Sequence, residues 1–341
     1  MDLGDRGPEA ELSEQSALGG RRRSHRGRLL WPLYRALKRW QGLRGKPGVL
    51  ASGTRWRSMG LDEREEAYSP SSCIGGDYGP FIARYRTMSA EARSRIQAWR
   101  EYAYGPAPSH RLDLFTPQDV TGHAIPVLVF FHGGYWQELS KDESSFAAPA
   151  LVGAGAALAA VDYTLAPDAS ITEIVDECRR AVGWLHQQAD ELGIDPRRII
   201  VSGNSAGAHL AAMVALPGWQ RAAGLPADLV RAAVLVSGIY DLAPLVGTSI
   251  DIPLGLTDAE VESMSPTRVA LDGFPRSLVC WGEVETTEFK AQSWEFANGL
   301  TQAGTTCTVL EVPARNHFDV VLDLADPTAD ITRRVLSVLE V

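Results

Sequence analysis

The pentapeptide Gly203-Asn204-Ser205-Ala206-Gly207 sets a serine between two glycines, after the apolar run 199–201 and before the alanine-rich segment 209–216. A serine hydroxyl is a weak nucleophile until a neighbouring base takes its proton. It must also stand clear of its own backbone to reach a carbonyl. A sharp strand-to-helix turn does this: glycines on either side permit close backbone contact where a Cβ would clash, and the serine Oγ projects at the carboxyl end of a sheet. Ser205 is therefore the candidate nucleophile of an acyl transfer.

Attack on a carbonyl builds negative charge on its oxygen, which requires pre-placed donors. His132-Gly133-Gly134-Tyr135-Trp136 directly follows the apolar run 127–131, where glycines give backbone N–H groups an unobstructed approach to an oxyanion. Gly133 and Gly134, with the N–H of Ala206, are the candidate donors.

A base and an orienting acid must follow. Of the seven histidines, His317 alone lies in a loop (314–318) between a late strand pattern and the final helix pattern, and it is the candidate base. His209, four residues beyond Ser205, reads as a structural hydrogen-bonding group, and His132 as an anchor of the oxyanion loop. His25, His110, His123 and His186 read as ordinary surface or strand-edge residues. The run 277–281 leads into Gly282-Glu283-Val284-Glu285, where a carboxylate can reach the far nitrogen of His317. Glu285 is the first choice for the acid, with Glu283 and Asp241 as alternatives. Tyr135 and Trp136 are expected to stack on an aromatic leaving group, and residues 68–81 to cover the mouth of the site.

These groups need a scaffold. Apolar runs suited to strands buried on both faces occur at 127–131, 158–161, 199–201, 232–236, 278–281 and 308–310. Helical patterns alternate with them. Ile171, Ile174, Val175, Cys178, Ala181, Val182 and Leu185 share one face, behind the capping pair Ser170 and Glu173; 289–300 and 332–339 supply later helices. Interleaving of this kind predicts an α/β fold with a mostly parallel, doubly wound sheet flanked by helices. The order Ser205, Glu285, His317 is the one expected of the α/β-hydrolase fold.

Composition sets the outer bounds. The 341 residues are 45% hydrophobic and 22% charged, enough to bury a large core. The chain lacks an uninterrupted apolar stretch of spanning length and lacks a secretory pattern at its start. Cys73, Cys178, Cys280 and Cys307 are scattered, without a CxxC pair, which fits a reducing cytoplasm better than a disulfide framework or a zinc site.

Charge divides the chain. Residues 1–58 carry 13 Lys and Arg against 5 Asp and Glu, whereas 59–341 carry 20 against 37. Residues 1–58 are expected to be a disordered basic extension, with Met59 as the working start. The alternatives are a basic amphipathic helix built on Leu29, Leu30, Leu33, Leu37 and Trp40, and a targeting peptide. Residues 59–341 are the expected α/β-hydrolase domain.

Together, HGGYWQ at 132–137, GNSAGAHL at 203–210 and GEVETTEFKAQSWEF at 282–296 resemble the kynurenine formamidase (arylformamidase) branch of the α/β-hydrolases, over roughly residues 66–341. The HGG and GxSxG elements are shared with hormone-sensitive-lipase-like esterases and specify the superfamily more than the substrate. The resemblance implies a serine hydrolase that cleaves N-formylkynurenine, with Ser205 as nucleophile, His317 as base, Glu285 as acid and Gly133, Gly134 and Ala206 as oxyanion donors. It implies no metal or cofactor. The matching family position usually carries Asp where this chain has Glu285. A carboxylesterase for short-chain esters is the alternative. The expected partner is a small-molecule substrate, with a homodimer left open; nucleic acid and stable membrane insertion are not expected of so acidic a body.

Overall fold

The computed structural model describes residues 55–118 and 124–341. Most of the basic extension, with its candidate helix, lies outside the described residues, as do His25 and His123. Of the extension, Arg55–Ser58 forms one 3-10 turn, and Arg55 reaches Glu288 at 3.4 Å.

Eight strands form one sheet: β1 (Trp99–Ala103), β2 (Arg111–Phe115), β3 (Ile125–Phe131), β4 (Ala157–Val161), β5 (Ile194–Asn204), β6 (Ala232–Val236), β7 (Arg276–Val284) and β8 (Cys307–Asn316). Their spatial order is β1-β2-β4-β3-β5-β6-β7-β8. All six expected strands are present, as β3 to β8. They pair in parallel, and β1 and β2 add an antiparallel edge beside β4.

Period-two alternation distributes side chains between two helical layers. Leu128, Phe130, Leu158, Ile200, Val234, Leu278 and Cys280 share one core with Ile82 and Tyr85 of helix Gly79–Arg95 and with Ile331, Val335 and Leu339 of helix Asp330–Leu339. Helix Ile171–Gln187 starts at the expected capping box, in which the Ser170 hydroxyl accepts from the Glu173 N–H and the Glu173 carboxylate from that of Ser170. Its expected apolar face is buried, and it packs with the helix Ala206–Ala215 and with β5.

One charge sits inside the antiparallel edge. Asp113 of β2 is fully buried and compensated by Arg93 (Nη2–Oδ2 2.8 Å) and Lys141 (Nζ–Oδ1 3.2 Å). A buried carboxylate costs several kcal/mol unless paired in this way, so the cluster ties β2 to helix Gly79–Arg95 and to the 3-10 turn Lys141–Glu143. Among the described residues no helix is long and apolar enough to cross a membrane.

The topology gathers the chemistry. Since β3, β5, β6, β7 and β8 are parallel neighbours, their carboxyl ends share one rim of the sheet. The residues that follow those ends are His132, Ser205, Ser237, Glu285 and His317.

Candidate active site

Ser205 follows the last residue of β5 and precedes helix Ala206–Ala215 with φ 59° and ψ −121°, a conformation that a residue bearing a Cβ adopts only under constraint. The constraint is visible on both sides. The Ser205 N–H donates to the carbonyl of Val236 on β6 (2.9 Å), and the Ser205 carbonyl accepts from Ala208 and His209 as the helix begins. A Cβ added to Gly207 would lie 2.0 Å from the carbonyl oxygen of Phe131, so only glycine lets the elbow helix meet the end of β3.

The same contact brings the HGG loop to the serine. A Cβ on Gly133 would stand 2.8 Å from the Asn204 carbonyl and 3.3 Å from the Ser205 Cβ, which puts the Gly133 backbone directly against the elbow. Gly134, at φ 94°, accepts on its carbonyl from the N–H groups of Gln137 and Glu138 (2.9 and 3.0 Å). Ala206 opens the elbow helix, where the first amides have no acceptor within the helix and the helix dipole favours negative charge. Gly133 and Ala206 thus stand directly against Ser205, and Gly134 follows Gly133 in the same loop.

The alternatives for the acid separate cleanly. Nδ1 of His317 lies 2.9 Å from Oε2 of Glu285, both side chains being buried. The register explains the meeting: Val284 pairs with Asn316 beyond an irregularity that follows Gly282, so the next residue of each strand faces the other. Oε1 of Glu285 accepts two further hydrogen bonds at 2.6 Å, from the Ser237 hydroxyl and from the Gly282 N–H. Glu283 points elsewhere, accepting the N–H of Ala314, and Asp241 is held by Arg268 at 2.9 Å. Ser237 was not foreseen from sequence; a serine directly after a buried apolar run is the only signal it leaves.

The remaining histidines fall into structural places. His132 stacks on Tyr163, with ring centroids 4.1 Å apart, and its Nδ1 is 3.0 Å from the Gly133 carbonyl; burial lowers its pKa to about 4, so it braces the loop as a neutral ring. His209 meets the Met264 carbonyl at 2.7 Å through Nε2, again with its pKa lowered to about 4 by burial. His110, expected at the surface or at a strand edge, directly precedes β2 and is buried there, 3.1 Å from Glu177. His186 is half-buried.

His209 carries a stability prediction. The unfolded chain binds its proton below pH 6.5 while the folded ring, with its pKa near 4, refuses it. Its contribution is therefore complete above pH 6.5 and is lost as pH falls toward 4, on the order of 3 kcal/mol in all. The His209→Gln variant is expected to show a shallower loss of unfolding free energy between pH 6.5 and 4, by one proton, in urea titrations. An identical slope in both proteins would contradict this.

Both aromatics of the HGG loop have positive φ, 52° for Tyr135 and 59° for Trp136. This turns Trp136 inward. It is fully buried, edge-on to the His209 ring at 5.0 Å, and offers no free face for the stacking expected of it. Tyr135 is half-buried, with its hydroxyl donating to the Tyr68 carbonyl. Residues 68–81 pack against the loop of the candidate base: Tyr78 and Phe81 stack on Phe318 at 5.3 and 5.7 Å, while Phe289, itself in contact with Tyr68, meets the His317 ring at 4.5 Å.

The chain is similar to several known proteins. A family model described as BD-FAE matches residues 112–244. The kynurenine formamidase of Danio rerio is 34% identical over 294 residues, covering 83% of this chain and 98% of its own. A carboxylesterase of Mycobacterium tuberculosis is 30% identical, covering 63% and 73% respectively. The solved structure of a hyperthermophilic esterase from Pyrobaculum calidifontis superposes with a TM-score of 0.64 at 22% identity, over 76% of this chain and 91% of that one.

Proposed function

The chain belongs to the kynurenine formamidase family of the α/β-hydrolases, and from that premise we propose that it hydrolyses an N-formyl arylamide, N-formylkynurenine to kynurenine and formate, through Ser205, His317 and Glu285. The observation that carries the residue assignment is the buried Glu285–His317 pair, which follows β7 and β8 at the same rim of the sheet as the strained Ser205 elbow. Glu285 holds the Nδ1–H tautomer of His317, leaving Nε2 free to take the Ser205 proton. Oγ then attacks the formyl carbon, and the N–H groups of Gly133, Gly134 and Ala206 receive the oxyanion. His317 returns the proton to the departing arylamine, and a formyl-enzyme forms. Water, deprotonated by His317, attacks this ester and releases formate.

Residues 68–81, packed on the His317–Phe318 loop, form one wall of the cleft in this reading, and Tyr135 supports that wall. The substrate is a small molecule. A cytoplasmic location belongs to the same reading and is supported by four free cysteines. The acidic body disfavours nucleic acid as a partner, and a homodimer is the assembly to test by scattering.

The likeness to the M. tuberculosis carboxylesterase favours a second reading, cleavage of short-chain esters by the same groups. The decisive assay compares kcat/KM of the purified protein on N-formylkynurenine and on p-nitrophenyl acetate. A value for the formamide well above that for the ester is expected. Ester turnover with an inert formamide would transfer the assignment to the carboxylesterase.

A further inference from the structure

We infer that Ser237 is a positioning residue of the catalytic centre, whose hydroxyl fixes the carboxylate of Glu285 and makes the longer glutamate arm serviceable as the acid; this rests on the triad reading above. Three observations carry it. The Ser237 hydroxyl is fully buried and donates to Glu285 Oε1 at 2.6 Å, opposite the Oε2 atom that meets His317. The Gly282 N–H donates to the same Oε1, so two fixed donors hold one oxygen and orient the other. Finally, Ser237 has φ 52°, a left-handed conformation unfavourable for a residue with a Cβ, and its N–H is pinned to the Cys280 carbonyl at 2.7 Å.

The backbone context adds to the case. Val236 receives the Ser205 N–H on its carbonyl, while the next residue, Ser237, holds the acid. Two consecutive residues at the end of β6 thus set the nucleophile and the carboxylate relative to one another. A glutamate carboxylate has one more rotatable bond than an aspartate, and without a donor on Oε1 that freedom would let Oε2 leave Nδ1. Hydrogen bonds to charged groups are strong enough for the loss to be seen in kcat.

The test measures kcat and KM on p-nitrophenyl acetate, so that it stands whether or not the formamide is the natural substrate, for Ser237→Ala and Ser237→Gly in the wild-type and Glu285→Gln backgrounds. Both single variants are expected to lose about 10- to 100-fold in kcat with KM within about twofold. Glycine relaxes the backbone but lacks the hydroxyl, so an active Ser237→Gly would overturn the inference. In the Glu285→Gln background, where the side-chain amide no longer anchors the imidazole correctly, the same substitutions are expected to cost less than about threefold. Equal losses in both backgrounds would mean a structural role only and would also overturn it. Failure of the triad reading itself has a different signature, a Ser205→Ala variant that retains turnover.

Discussion

Ser205→Ala is expected to abolish hydrolysis of N-formylkynurenine, lowering kcat by about 10⁵- to 10⁶-fold while KM and thermal stability stay close to the wild-type values. The size follows from the chemistry. Without Oγ no acyl-enzyme forms, and His317 has no serine proton to take; what survives is the rate that oxyanion donors and binding give to direct attack by water. Stability is spared because alanine keeps the Cβ that already occupies the strained φ of 59°, and because the elbow is held by backbone bonds to Val236, Ala208 and His209 that the substitution leaves in place. Mass spectrometry supplies a check independent of turnover: a fluorophosphonate should add once to the wild-type chain, at the peptide containing Ser205, and not to the variant. Labelling elsewhere with activity retained would displace Ser205 as nucleophile.

The second large effect concerns the acid. Glu285→Gln is expected to lower kcat by about 10³- to 10⁴-fold, whereas Glu283→Gln stays within about twofold. The Gly282 N–H can only donate and demands an acceptor at the Oε1 position, where the Ser237 hydroxyl also donates, so the variant's NH2 group is turned toward His317. An amide N–H opposite Nδ1 selects the tautomer protonated on Nε2, which cannot act as a base toward Ser205. Glu283 only accepts the Ala314 N–H, and an amide oxygen does that as well. Steady-state kinetics of the two variants, with far-UV circular dichroism to verify folding, separates them. A large loss in Glu283→Gln with little in Glu285→Gln would reverse the assignment.

Fold and site were legible to different depths, for physical reasons. Strands β3, β4 and β6 are buried throughout and read as continuous apolar runs, β5 does so only over 199–201, and the interleaved helices with amphipathic faces indicated the layering. Strands β1 and β2 escaped detection. β1 is a polar, half-exposed edge, and β2 carries Asp113 in its interior, a charge tolerated only because Arg93 and Lys141 arrive from distant segments. Helix Gly79–Arg95 was hidden because its buried positions, Ile82, Tyr85, Ser89 and Ala92, are small or polar in half of their number.

At the site, local grammar named the serine elbow, the oxyanion loop and the histidine, since each depends on neighbours in sequence. The choice among Glu283, Glu285 and Asp241 needed the register of β7 against β8, a non-local quantity. Trp136 was misread for a related reason: its type suits stacking on a ligand, but two consecutive positive φ angles direct it into the core. Ser237 has no motif at all, because its role exists only once β6 and β7 are side by side.

The placement of the two reacting side chains also divides them by protection. Ser205 extends from β5, a strand flanked on both sides and roofed by a buried helix, whereas His317 follows β8, which pairs only with β7 and exposes much of its length, including Val309. Edge segments open with far less free energy than central ones. Proton transfer thus hangs on an edge strand of the sheet and the nucleophile on a central one, so an opening confined to that edge would cost the molecule its base, and with it turnover, while leaving the elbow in place.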